Sequence, residues 1–145
     1  MKILDFVICD DVRMEVGNKN SIMGAYNDLI VLQAKSKSDL KFPLAFRLGF
    51  YLRIDLEGHK EDIGSIDFTF KGDILDSFEG SFGFQKINDF NRPLVLFASG
   101  FFLNVKGFGS MDISFQVKDK EGKEICTLKP ALNFGVQFQE VKVAQ

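Results

Sequence analysis

The sequence predicts an all-β chain folded as an antiparallel β-sandwich of about eight or nine strands in two sheets. Three observations carry that expectation. From Leu44 to Leu56 every second residue is apolar (Leu44, Phe46, Leu48, Phe50, Leu52, Ile54, Leu56), while Ala45, Arg47, Gly49, Tyr51, Arg53 and Asp55 stand between them. A period of two marks a strand with one dry face and one wet face. Similar alternation returns at Ile66–Phe70, Met111–Val117 and Leu132–Phe138, with turn-forming residues between the runs. No segment sustains a period of 3.6.

Taken in order, the first strand is expected at Ile3–Cys9, followed by a short extended piece at Val12–Val16. Gly17-Asn18-Lys19-Asn20 reads as a turn, since Gly and Asn tolerate positive φ. Ile22–Tyr26 and Leu29–Leu32 read as short strands around Asn27-Asp28, and Gln33–Lys41 as a polar loop. The run that follows Phe42-Pro43 would span about 43 Å at ~3.3 Å per residue, roughly twice the usual strand. Such a strand is expected to bend at Gly49 and to serve two sheets at a corner.

Glu57–Asp62 is a polar hairpin loop, and the next strand runs through Ile66, Phe68 and Phe70. The stretch from Gly72 to Pro93 is irregular, with part of a strand at Phe82-Gly83-Phe84. Leu94–Val105 is extended and more apolar, which suggests a central strand. Asp119–Gly122 turns the chain from the Met111–Val117 strand into Lys123–Leu128, which Pro130 ends, and the last strand is Leu132–Phe138.

An internal echo runs through the chain. Gly49-Phe50-Tyr51-Leu52 matches Gly100-Phe101-Phe102-Leu103, and Gly64-Ser65-Ile66-Asp67-Phe68-Thr69-Phe70 matches Gly109-Ser110-Met111-Asp112-Ile113-Ser114-Phe115. One reading is a duplicated hairpin, one per sheet, related by a pseudo-twofold axis; the other is convergence of two amphipathic hairpins on similar words.

The 145 residues fit one domain, 1–145, large enough to fold without a metal or disulfide. Seventeen Phe, two Tyr and no Trp point to a core filled largely by phenyl rings. Eighteen basic and twenty acidic residues give a net charge of −2, which argues against general nucleic-acid binding. No run approaches the ~20 apolar residues of a membrane span, and no targeting signal is visible, so a cytoplasmic location is expected. Cys9 and Cys126 are far apart and stand among apolar neighbours. That favours two buried free thiols in a reducing compartment over a disulfide.

His59 is the only histidine and sits in a charged turn, which excludes histidine-built metal sites and leaves an exposed turn residue as the plainer reading. Acidic residues gather near strand ends (Asp10-Asp11, Asp55 and Glu57, Asp73, Asp76 and Glu79, Asp119, Glu121 and Glu124). Calcium held between such loops is one reading, and solvated turn charges are the other. No phosphate-cradling glycine loop is present, and no cofactor is expected. The candidate contact residues are Phe78, Phe82 and Phe84, in a segment that also holds Gly80, Ser81 and Gly83. Exposed, their rings would form a partner surface; otherwise Phe82 and Phe84 complete the core from an edge strand. Arg47, Tyr51 and Arg53, on the wet side of the long strand, are the second candidate surface.

The segment Cys9-Asp10-Asp11-Val12-Arg13-Met14-Glu15-Val16-Gly17-Asn18-Lys19-Asn20-Ser21-Ile22-Met23-Gly24-Ala25-Tyr26 resembles the opening of a family of small bacterial proteins of no established function. The Phe42-Pro43 step and the Gly58-His59 turn fit the same pattern. The resemblance implies an immunoglobulin-like or C2-like sandwich and no catalytic residue. Asp11, Glu15, Gly17, Lys19 and Gly24 then serve a strand, a turn and a return strand.

The expected function is a non-catalytic binding or structural module acting on another protein, with self-association through an edge strand as one mode. The alternative is a sandwich that binds a small ligand, or a lipid with calcium; a hydrolase with dispersed acids ranks third.

Overall fold

The computed structural model describes residues 1–59, 63–85 and 92–142. The far side of the polar hairpin at residues 57–62, and residues 86–91 of the stretch ending at Pro93, lie outside the described residues. Twelve strands are present, more than the alternation alone suggests: β1 (Lys2–Cys9), β2 (Asp11–Glu15), β3 (Lys19–Met23), β4 (Leu29–Ala34), β5 (Leu44–Asp55), β6 (Ile63–Lys71), β7 (Phe78–Gly83), β8 (Leu94–Val105), β9 (Gly109–Ser110), β10 (Asp112–Asp119), β11 (Glu124–Leu128) and β12 (Gly135–Glu140). Lys37–Asp39 forms a single 3-10 turn.

Two principal antiparallel sheets, β1-β5-β8 and β11-β10-β6-β7, pack face to face. Rings from both sheets meet between them: Phe50 of β5 lies 5.0 Å from Phe68 of β6 and 5.7 Å from Phe115 of β10. A smaller sheet, β4-β12-β9, adds Ile30 and Val136 to the same core, with Phe134 just ahead of β12, and β2-β3 is a separate hairpin. In the small sheet β12 pairs with β4 in parallel, whereas the other strand pairs among the described residues are antiparallel.

Several details differ from the sequence reading. β5 belongs to one sheet only, between β1 and β8, so it does not turn a corner. The ladder does shift at Gly49, but the extra residue is on the partner strand: Leu48 pairs with Phe101 and Gly49 with Ser99, leaving Gly100 unpaired with φ +74°. A glycine accommodates that bulge because it has no Cβ to oppose a positive φ. β8 is apolar yet stands at the edge of its sheet rather than the centre. Its inner side chains face the core, and part of its outer face lies under β2, which misleads any reading from hydropathy alone. β3 begins at Lys19, earlier than the apolar run Ile22–Tyr26, and stops before Gly24, whose φ of +65° ends the strand. β12 starts at Gly135.

The echo is real in geometry but is not a pair of hairpins. β5 and β6 do not pair with each other; β5 pairs with β8, and β6 with β10. Each copy therefore contributes one strand to each sheet. The equivalent residues Thr69 and Ser114 face each other in the β6–β10 ladder, and the equivalent Gly49 and Gly100 meet at the bulge in β5–β8. A local twofold axis thus passes through both sheets. The four-stranded sheet follows it fully, since β7 flanks β6 as β11 flanks β10.

Both cysteines are free thiols, Cys9 buried on β1 and Cys126 half-buried on β11. Burial, with the Asp10 carboxylate adding to it, pushes the Cys9 thiol up to about 11, and burial also raises Cys126. Thiolate is the reactive form, so Cys9 should be inert at pH 8. A Cys126→Ser variant is expected to show no fast-reacting thiol with a disulfide reagent until guanidinium unfolds it. Rapid labelling of that variant in the native state would contradict the burial of Cys9.

Candidate functional site

The β2–β3 hairpin shapes one side of the molecule. Its ladder runs from Asp11↔Met23 to Glu15↔Lys19, closing on an opposite-charge pair. The connection turns through Gly17 and Asn18, both at positive φ, as tight hairpins with a right-handed strand twist require. Ser21 Oγ donates to Glu15 Oε1 at 2.9 Å.

The hairpin is tied to the three-stranded sheet at its base. Val12 is buried, and its N–H donates to the Asp11 carboxylate at 3.0 Å. Ser99 Oγ of β8 donates to the same carboxylate, and Arg13 Nε reaches it at 3.3 Å. The Ser99 hydroxyl first, and then Arg13, hold the Asp11 carboxyl below the usual carboxylate range. Asp10 accepts from Tyr26 Oη at 3.1 Å, and burial and this carboxylate raise the Tyr26 phenol. Gly24 is needed beside it, because a Cβ there would fall on the Asp10 carboxylate. The residues Cys9 to Tyr26 therefore build a strap across the sheet.

The outer face of that sheet carries the odd-numbered residues of β5. Tyr51 and Arg53 line a groove of about 740 Å³ between sheet and hairpin, with Met14, Lys19, Arg92 and Phe97. Its volume falls within the usual range for ligand clefts. Arg53 Nε and Nη2 lie 2.6 and 2.5 Å from Asp5 Oδ2. Asn20 also lines the groove, and its side-chain oxygen is buried with no hydrogen-bond partner. A buried acceptor in that state costs stability until a donor reaches it. Farther along the same face Arg47 stands opposite Phe102, which is 58% exposed.

The structure thus brings Tyr51 and Arg53 together in the groove and puts Arg47 on the same face. Phe78, Phe82 and Phe84 are elsewhere. They are half-buried against the core at the edge of the four-stranded sheet, with Phe78 stacked on Phe101 at 4.9 Å and Phe82 lying 5.4 Å from Phe68. Gly80 makes this packing feasible, since the Phe68 ring occupies the space its Cβ would take. These rings do not form the exposed contact loop that their spacing allowed. Phe97, Phe102 and Met14 belong to the candidate face but gave no signal, because only the fold brings β2 and β8 side by side.

The remaining candidates are scattered. His59 is exposed, its N–H closing the turn onto Leu56 O at 2.9 Å. Asp119 accepts from the N–H groups of Glu121 and Lys123 at 2.9 and 2.8 Å, and Asp76 pairs with Lys106 at 2.6 Å. Among the described residues no three His, Cys, Asp or Glu side chains gather closely enough to hold a metal ion. Among the described residues no helix is long and apolar enough to cross a membrane. No protein-family model matches the sequence, and no curated protein matches it.

Proposed function

We propose that this chain is a non-catalytic module that binds another protein, in the reducing cytoplasm, through the β2–β3 hairpin and the outer face of the β1-β5-β8 sheet. The observation that carries this is where the exposed apolar side chains fall. Met14, Val16, Ile22 and Met23 on the hairpin, with Val95 and Phe102 on β8, make up most of the large apolar side chains left to solvent among the described residues. Scattered singly such residues mean little; gathered on adjacent elements they mark an interaction surface. Tyr51, Arg47 and Arg53 supply the residue types that dominate interface energetics. β8 also has no charged residue along its length, unlike the other edge of its sheet, β1, which carries Lys2 and Asp5. Away from its C-terminal end, where Leu75 bridges Val105, it is therefore the edge of this sheet less protected against addition of a partner strand.

Affinity capture from the native host tests this directly. Wild-type bait and a Gln137→Glu variant, changed on the exposed side of β12, should retain the same protein. Phe102→Glu should lose it while keeping the wild-type unfolding midpoint. Retention by Phe102→Glu equal to wild type would remove the proposal.

A further inference from the structure

The chain has four arginines, Arg13, Arg47, Arg53 and Arg92, and all four stand on or against the candidate face. Arg47 and Arg53 lie on the outer side of β5, Arg92 lines the groove with Arg53, and Arg13 is on the hairpin. Lys19 joins them in the groove. The collection is notable in a chain whose net charge is −2. Arginine differs from lysine in offering a planar fork that matches a carboxylate and in being weakly hydrated, which suits it to interfaces.

These arginines are not equally available. Arg53 is engaged by Asp5, and Arg13 by Asp11 at 3.3 Å. Arg47 is exposed and makes no ion pair with any described residue. Its guanidinium rests over Gly100, where a Cβ would come within 3.1 Å of Nη2. The bulge glycine therefore leaves room for the fork beside the exposed ring of Phe102, its partner across the ladder. A cation and an exposed aromatic ring, held side by side on a rigid strand, form a two-point site for an acid next to an apolar group.

Resting on the binding-module reading, we infer that the partner presents an acidic protein segment, seating a carboxylate on Arg47 and an apolar side chain on Phe102. Arg53 lies six residues along β5 from Arg47, about 20 Å of strand, so a folded acidic surface or an extended segment of similar length reaches both ends. Nucleic acid fits less well. Two of the arginines are already neutralised, Glu15 lines the groove, and the exposed apolar side chains have nothing to meet on a phosphate backbone.

The test uses a short fluorescent peptide alternating Glu and Leu, followed by anisotropy, with a Lys-Leu peptide and single-stranded DNA as comparators. The Glu-Leu peptide should bind wild type and weaken as salt rises to physiological strength. Arg47→Ser should weaken it about tenfold, the scale of one charge-assisted contact. Arg47→Lys should recover part of the loss by restoring charge without the fork. Equal binding of the Glu-Leu peptide by Arg47→Ser, or tighter binding of DNA or the Lys-Leu peptide, overturns the inference. So does light scattering that shows a dimer dispersed by Arg47→Ser, since the acid would then be the chain's own. If no Glu-Leu peptide binds while Phe102→Glu still abolishes capture, the acidic partner fails and the binding module stands.

Discussion

Replacing Phe50 by Ala should cost about 4 kcal/mol of folding stability, the upper range for removal of a buried ring. Phe50 is fully buried on β5. Its ring lies within 5.0 to 6.1 Å of six others, those of Phe6, Phe68, Phe70, Phe82, Phe101 and Phe115. Those six come from β1, β6, β7, β8 and β10, so one side chain joins both principal sheets. Rigid strands on every side leave the cavity little freedom to collapse, and it is this residual void that adds to the lost transfer free energy. Domains of this kind are stable by roughly 5–15 kcal/mol, so the loss removes between about a quarter and about four-fifths of the total. Urea denaturation with an unchanged m-value checks it. Phe102→Ala, at a ring that is 58% exposed, should move the midpoint by no more than about 0.5 kcal/mol. A loss below about 1.5 kcal/mol at Phe50 would mean that the rings repack around the gap.

The contrast between those two phenylalanines marks what could be read from sequence. Phe50 falls on the dry side of a run with a period of two, and the period alone assigns it to the core. Phe102 falls inside Phe101-Phe102-Leu103, where period and hydropathy give no sign of which ring faces out. The bulge at Gly100 decides that, and a bulge depends on the partner strand. The same limit explains the candidate site. Tyr51 and Arg53 were legible as one face of β5, because side chains alternate within a strand whatever packs on it. That Phe97, Arg92 and the hairpin residues Met14 and Lys19 join them depends on β2 crossing β8, a tertiary contact fixed by Val12 burial and the Asp11–Ser99 hydrogen bond. Phe78, Phe82 and Phe84 show the reverse. Their spacing suits either an exposed loop or a strand edge, and it is the pairing of β7 with β6, with the Phe68 ring filling the space over Gly80, that sets them against the core. The parallel pairing of β4 with β12 had no local signature, since a parallel ladder joins segments distant in sequence.

Glycine supplies the second large effect, at a site the echo makes intelligible. Gly64 stands at the start of the second strand of one copy as Gly109 does in the other, but of the two only Gly64 has its Cβ position against neighbouring backbone; at Gly109 a Cβ would meet the Ile74 side chain at 3.0 Å. A Cβ on Gly64 would sit 2.6 Å from Asp119 O and 2.8 Å from Lys120 Cα, and one on Gly135 would sit 2.5 Å from Gly109 O. Backbone cannot swing aside as a side chain does, so Gly64→Ala must separate β6 from the end of β10. That end already carries a register shift, between Lys118 and Asp119. The expected cost is about 2–3 kcal/mol, the upper range for overpacking. Gly83 makes the comparison clean. It is also a strand glycine, at the end of β7, yet nothing lies within 4 Å of its Cβ position. Gly83→Ala should therefore be neutral or stabilising by up to about 1 kcal/mol, because it only removes freedom from the unfolded chain. Equal midpoints for the two variants in thermal and urea unfolding would show that the close approach at Gly64 relaxes freely. A gap of the predicted size, with Gly64→Ala the lower, would show that Gly64 is kept for the space it leaves between backbones.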